Sequence, residues 1–333
     1  MVEFMYKAND DRYENAVVRR AGNSGLQLPA LSFGLWHSFG DDANYGDSEK
    51  VILKAFDLGI FSFDNAYNYG PSAGAAERMF GEVYRANLKP YRDELVITTK
   101  AGFNMWPGPY GNFSSKKTLV NALDGSLKRM GLDYVDIYYS HRFDPETSLE
   151  ETAEALDEIV RSGKALYIGI SNYNAKQTAE IINYFKELHT PFVVNQASYN
   201  MLNRGIEDDG LLDTLSQNHK ALVAYGPLAE GLLTDKYLKG MDDDVKIHWS
   251  NEFVIKHGKD ELVTKLNQLN EIAKNRGQNL AQMSLAWLLH DKTVASVVTG
   301  ASKINHLEDN LKALSNLDFT SDELEQIDKI VKE

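Results

Sequence analysis

From about residue 31 onward, short runs of β-branched and aromatic residues alternate with longer stretches whose apolar positions recur every three or four residues. Strands carry a period of two or a continuous apolar run, and helices a period near 3.6, so the alternation predicts repeated βαβ units. The expected strands are LSFGLW (31–36), FSFDNA (61–66), LVITTK (95–100), YVDIYYS (134–140), ALYIGIS (165–171), FVVNQAS (192–198), ALVAYGP (221–227) and ASVVTG (295–300). Ahead of them, VVRRAGNSGLQLPAL (17–31) sets an NSG turn between two short strand-like pieces and predicts a hairpin.

The intervening stretches carry helix signals. DSEKVILKAFDLG starts acidic and stops at Gly59, and SLEETAEALDEIVRSGK offers Ser148 as a cap, Glu151 three residues on and Gly163 as a stop. TSDELEQIDKIVKE predicts a last amphipathic helix behind Thr320 or Ser321. No linker, composition shift or low-complexity segment divides the chain, so one α/β domain is expected over residues 1–333. Its predicted fold is a (β/α)8 TIM barrel with an N-terminal β-hairpin and a C-terminal helix. The polar residues 1–15 are expected to form a loosely ordered N-terminal extension.

Two segments are too long for plain connections: FNMWPGPYGNFSS (103–115) and roughly 229–260 should be large loops over the strand ends, where long loops are usually functional. An open doubly wound sheet is the competing arrangement. It would want GxGxxG after the first strand, and none is present. Walker A, HExxH and GxSxG motifs are absent too, against P-loop, zincin and serine-hydrolase readings.

The chain has 48 acidic against 35 basic residues, a net charge of −13, and a field of that sign repels phosphate backbones, against nucleic-acid binding. Cysteine is absent, which excludes disulfides and thiolate metal sites. No His/Asp/Glu spacing suggests another metal site. The N-terminus lacks an apolar signal region, and the apolar runs are too short to span a bilayer, so no membrane partner is expected and a cytoplasmic location is the default.

Against this background four side chains stand out. Asp64 and Tyr69 lie five residues apart in FDNAYNYG, Lys100 ends LVITTK, and His141 follows YVDIYYS. All four fall at the C-terminal ends of successive expected strands, the face on which barrel enzymes carry out chemistry. Reducing a carbonyl creates an alkoxide that needs a proton, which a phenol can give. Its ordinary pKa of about 10 is high for that work near neutrality. A nearby ammonium stabilises phenolate, an acid keeps a buried ammonium charged, and an imidazole can polarise the substrate oxygen. The expected roles are proton donor for Tyr69, tuner for Lys100, partner of Lys100 for Asp64, and orienter for His141.

From end to end, about residues 16 to 330, the chain resembles the aldo-keto reductases, specifically the branch holding bacterial L-glyceraldehyde 3-phosphate reductase and the potassium-channel β-subunits. The likeness rests on SGLQLPALSFGLWHSFG, FDNAYNYGPSAGAAERMFG, ITTKAGFNMWPGPYG, SLKRMGLDYVDIYYSHRFD, SGKALYIGISNY, NQASYNMLNR, YGPLAEGLLTDKY and TGASKINHLEDN in order. It implies an NADPH-dependent reduction of small aldehydes, of the L-glyceraldehyde 3-phosphate or methylglyoxal type. NAD is the lesser cofactor alternative, and a homo-oligomer is allowed.

The resemblance also assigns the cofactor contacts. Ser171, Asn172 and Gln196 would hold the nicotinamide amide, with Tyr225 stacked on its ring. Gly226, Pro227, Leu228 and Gly231 would line the pyrophosphate. Gly300, Ser302, Lys303, His306, Asp309 and Asn310 would surround the adenosine end. Glycine lets backbone approach phosphates, and a helix start offers free N–H groups.

His306 and Asp309 stand where the family usually has Gln and Glu, and Val245 and Lys246 where it has Ser-Arg; Lys303 and Lys246 remain candidates for a 2′-phosphate. Trp36, also counted at the cofactor site, and Trp106 are expected to wall the substrate pocket. Arg142, next to His141, is expected in a buried salt bridge, with a substrate phosphate or carboxylate as the alternative partner. The alternative function is a cofactor-sensing regulatory subunit like the channel β-subunits. That reading wants a long partner-binding extension; about 15 residues precede the hairpin, so an enzyme is expected.

Overall fold

The structure is a computed structural model and describes residues 6–242, 244–245 and 258–332. Its first two strands, β1 (Val18–Arg20) and β2 (Gln27–Pro29), pair antiparallel as the expected hairpin. Eight parallel strands follow: β3 (Leu31–Gly34), β4 (Ser62–Asp64), β5 (Val96–Ala101), β6 (Val135–Ser140), β7 (Ala165–Ser171), β8 (Phe192–Ser198), β9 (Ala221–Tyr225) and β10 (Val294–Thr299). They close in sequence order, β10 pairing with both β3 and β9.

The helices between them are α1 (Tyr45–Asp57), α2 (Ala75–Val83), α3 (Lys116–Met130), α4 (Leu149–Arg161), α5 (Ala175–Leu188), α6 (Gly205–Asp208), α7 (Leu211–Gln217), α8 (Lys259–Asn275), α9 (Leu280–His290), α10 (Ile304–Leu311) and α11 (Ser321–Lys332). Ser148 accepts from the Glu151 N–H as the sequence anticipates, and Asn174 and Asn279 open α5 and α9 with reciprocal capping boxes.

Alternation along β5 shows how the barrel sorts its side chains. Val96 packs inside with Ile137, Tyr139 and Val223, while Ile97 faces the helical shell with Phe63 and Leu123. The same parity turns Thr98 and Lys100 inward and Thr99 outward, where its hydroxyl meets Glu77 of α2. The hairpin closes the barrel end at which the strands begin. Ala21 and Leu28 join the interior cluster, and the Arg19 guanidinium donates to the carbonyls of Leu289, Asp291 and Val294 at the start of β10.

The expectation of a loose extension over 1–15 is corrected for residues 6–15. Tyr6 donates to Asp57 at 2.7 Å, the Ala8 N–H meets the Tyr91 hydroxyl at 3.0 Å, and Arg12 pairs with Glu94. Polar composition suggests a loose segment because the partners lie 51 to 83 residues away in sequence. The long segment after β9 contains short turns at Ala229–Gly231 and Asp235–Tyr237, and Lys246 lies outside the described residues.

Candidate active site

Four elements bring the predicted acid, phenol, ammonium and imidazole together. Lys100, inward on β5, is wholly buried and points its ammonium at Asp64 Oδ2 (2.6 Å), the carbonyl of Asn65 (2.8 Å) and the hydroxyl of Tyr69 (3.2 Å). β4 ends at Asp64 rather than running on to Ala66, which frees the Asn65 carbonyl to accept from Lys100. The Tyr69 ring lies 5.9 Å from the ring of His141, edge to face, and Phe103 packs edge-on against that imidazole at 4.7 Å.

Burial decides the charge states. It pushes the Tyr69 phenol well above its ordinary range, and the nearby Asp64 adds to this, so the phenol holds its proton at neutral pH. Burial pulls the Lys100 ammonium down, opposed by Asp64 and by Glu77. His141 lies well below the usual imidazole value, first by burial and then by the charges of Lys100 and Arg142, so its ring is neutral. Its Nδ1 is buried with no hydrogen-bond partner.

A neutral buried histidine has a stability signature. Its folded-state pKa is depressed, so the unfolded chain takes up the proton first. As pH falls below about 6.5 this group therefore costs stability, and the loss levels off below its folded value. His141→Gln should flatten the fall in melting temperature between pH 7 and 5. A slope identical to the parent's would show that His141 is not held neutral.

Beyond the four, the carboxylate of Asp64 is anchored on its second oxygen: Thr98 Oγ1 donates to Oδ1 at 2.9 Å and Gln196 Nε2 at 3.0 Å. Gln196 thus reaches across the barrel from β8, a contact no sequence spacing announces. Asn172, just past β7, adopts a left-handed backbone (φ 59°) that an Asn tolerates better than most residues. It donates to the His141 carbonyl (3.0 Å) and Ser171 Oγ (3.1 Å) and accepts from the Tyr225 hydroxyl (2.8 Å). Ser171, Asn172, Gln196 and Tyr225 therefore surround the four residues. Tyr225 ends β9, and left-handed Gly226, Ala229, Glu230 and Gly231 shape the loop that follows, with Pro227 and Leu228 within it.

Gly300, Ser302 and Lys303 lead from β10 into α10, whose first turn has no side-chain cap, and a Cβ at Gly300 would meet nothing within 4 Å. Lys303 and His306 are exposed, and Asn310 is buried. Asp309 has its carboxylate tied to Asn279 (2.8 Å) and Gln282 (3.0 Å) at the start of α9.

Trp36 is 47% exposed, 6.4 Å from the Tyr69 ring. Trp106 packs against Tyr67 at 5.3 Å in the loop after β5, where a cavity of about 510 Å³ is lined by Asn104, Met105, Trp106, Pro107, Gly108, Gly111 and Asn112. Arg142 departs from expectation. It forms no ion pair among the described residues. Its guanidinium lies over the rings of Phe103 (4.5 Å) and Phe113 (4.0 Å) and donates to the Gly102 carbonyl and Asn112 Oδ1. Aromatic faces and neutral oxygens satisfy it where a carboxylate was expected. No group of three or more side chains able to hold a metal, and no helix long and apolar enough to cross a membrane, occurs among the described residues.

Comparison with known proteins places this geometry. The model of the Aldo/keto reductase family matches residues 30–332. The L-glyceraldehyde 3-phosphate reductase of Escherichia coli K12 is 51% identical over 330 residues, covering 98% of this chain and 95% of the relative. A probable voltage-gated potassium channel subunit beta from Oryza sativa subsp. japonica is 34% identical over 321 residues, covering 94% of each. Among solved structures, the holo form of aldo-keto reductase AKR11C1 from Bacillus halodurans superposes with a TM-score of 0.77 at 26% identity, covering 95% of this chain and 96% of that one.

Proposed function

The chain belongs to the aldo/keto reductase family, and we propose that it reduces small aldehydes, L-glyceraldehyde 3-phosphate among them, to alcohols with NADPH. The observation that carries the reading is the contact of Lys100 with both Asp64 and the Tyr69 hydroxyl, beside a neutral His141. The dinucleotide, when bound, supplies the hydride. Tyr69 gives its proton to the carbonyl oxygen as charge builds there, and Lys100, donating to the phenolic oxygen, stabilises the phenolate left behind. Asp64 holds Lys100 charged in its buried position. His141 donates an N–H to the same carbonyl oxygen and fixes its direction.

The residues around this centre fit a dinucleotide. Tyr225 offers a ring at a strand end, the left-handed Gly226 and Gly231 let backbone come close to phosphates, and the uncapped start of α10 presents free N–H groups. Lys303, exposed at that start, suits a 2′-phosphate in a protein of net charge −13. Asp309, held by α9, serves there to position the helix. The reductase reading stands above the regulatory-subunit alternative because the half-identical relative is named a reductase, while relatives carrying the channel name are near one third identical.

Oxidation of NADPH and of NADH, followed against a panel of small aldehydes including L-glyceraldehyde 3-phosphate, tests the proposal. Aldehyde-dependent NADPH oxidation is expected, and none with any aldehyde would overturn it. For the cofactor, Lys303→Ala should weaken NADPH binding about tenfold, the scale of one charge-assisted hydrogen bond, less where solvent screens it, and leave NADH binding within twofold. Equal losses for both would move Lys303 to the shared phosphates.

A further inference from the structure

We infer that Thr98 is a positioning residue for proton delivery, holding the Asp64 carboxylate in the one orientation that presents Oδ2 to Lys100. The inference rests on the function proposed above. Thr98 and Asp64 are register partners across β4 and β5, so rigid backbone brings the hydroxyl to Asp64 Oδ1, 2.9 Å away. Threonine is stiff about χ1, which leaves that hydroxyl little freedom to wander. Lys100 stands two residues further along the same inward face. One strand therefore supplies both contacts that pin the carboxylate: a neutral donor on one oxygen and the ammonium, at 2.6 Å, on the other.

Packing alone does not call for a hydroxyl here. The neighbouring inward position on β5 is Val96, Thr98 is buried, and valine has nearly the same shape. Among the described residues the hydroxyl's hydrogen bond goes to Asp64 alone. Gln196 shares Oδ1 but approaches from the far side of the barrel on a longer side chain, so it constrains the carboxylate less. Without Thr98 the carboxylate is free to rotate toward Gln196 and away from Lys100.

The consequence is a change in how Lys100 holds its proton. The ammonium is faced by Asp64 from β4, Tyr69 from the following loop, Tyr139 from β6, His141 just past that strand and, further out, Glu77 from α2. Of these, Asp64 opposes burial most strongly. A displaced Asp64 lets Lys100 lose its proton at lower pH, and the phenolate that Tyr69 must become loses its stabiliser.

Thr98→Val and Thr98→Ser, measured beside the parent, test this. The Val variant should lower kcat about tenfold, the effect of one hydrogen bond to a charged group. The alkaline limb of its kcat profile should move to lower pH, with NADPH binding, read by fluorescence titration, within about twofold. The Ser variant should recover most of the rate and the parent's limb. A purely structural role would lower the melting temperature of the Val variant and leave the limb where it was. An unmoved limb, or a Ser variant no better than Val, overturns the inference. Full activity in Tyr69→Phe would instead overturn the reading it rests on, so the two failures are distinguishable.

Discussion

Tyr69→Phe should bind NADPH as the parent does and reduce aldehydes about 10²–10⁴-fold more slowly, the contribution typical of a general acid. The substitution keeps the ring that packs near Trp36 and His141 and removes one hydroxyl, so stability should change little. The phenol holds its proton at neutral pH, and its hydroxyl lies 3.2 Å from the Lys100 ammonium, a cation able to take up the resulting charge. A variant that turns over within a fewfold of the parent would show that the proton comes from elsewhere.

Lys100→Met should lose turnover on a comparable scale, about 10²-fold or more, and, unlike Tyr69→Phe, should also lose stability. Lys100 and Asp64 are both buried, and removing one member of a buried ion pair leaves an uncompensated charge, at a cost of about 3–5 kcal/mol. Thr98 and Gln196 remain to hold Asp64 and place the effect toward the lower end of that range. Thermal denaturation and steady-state rates on one preparation separate the two effects. A melting temperature equal to the parent's would mean that the ion pair contributes nothing net to the fold.

The barrel and the gathering of the four central residues were legible because each strand is an apolar run long enough to be recognised, and these side chains lie at or just beyond the ends of three of them. Period-two alternation along LVITTK places Thr98 on the face of Lys100, so its proximity was available from the sequence too. What it touches was not, because that depends on the register of β5 against β4. Gln196 illustrates the harder case: its contact with Asp64 spans 132 residues and the whole barrel interior, and only closure of the sheet creates it.

Arg142 lacks the expected salt bridge for a physical reason. An arginine next to a histidine suggests a carboxylate, yet two phenyl faces and two neutral oxygens hold it, and aromatic residues in a Gly- and Pro-rich loop give no sign of where their faces will point. Residues 6–15 are ordered where composition suggests otherwise, because composition speaks to a segment's own ability to fold and says nothing of the surface waiting for it. Asp309 was legible as part of the last motif, but its ties to Asn279 and Gln282 depend on how α9 and α10 pack.

The central claim, that the chain directs hydride to an aldehyde and delivers the proton from Tyr69, is tested most directly by isotope transfer. NADPH deuterated at the transferring position of nicotinamide C4 would be incubated with L-glyceraldehyde 3-phosphate and the parent or Tyr69→Phe, and the alcohol analysed by mass spectrometry. The parent should place one deuterium on the former carbonyl carbon for each NADPH oxidised, and the variant should give at most about a hundredth as much labelled product. Product without deuterium, or labelled product at equal rates from both proteins, would contradict it.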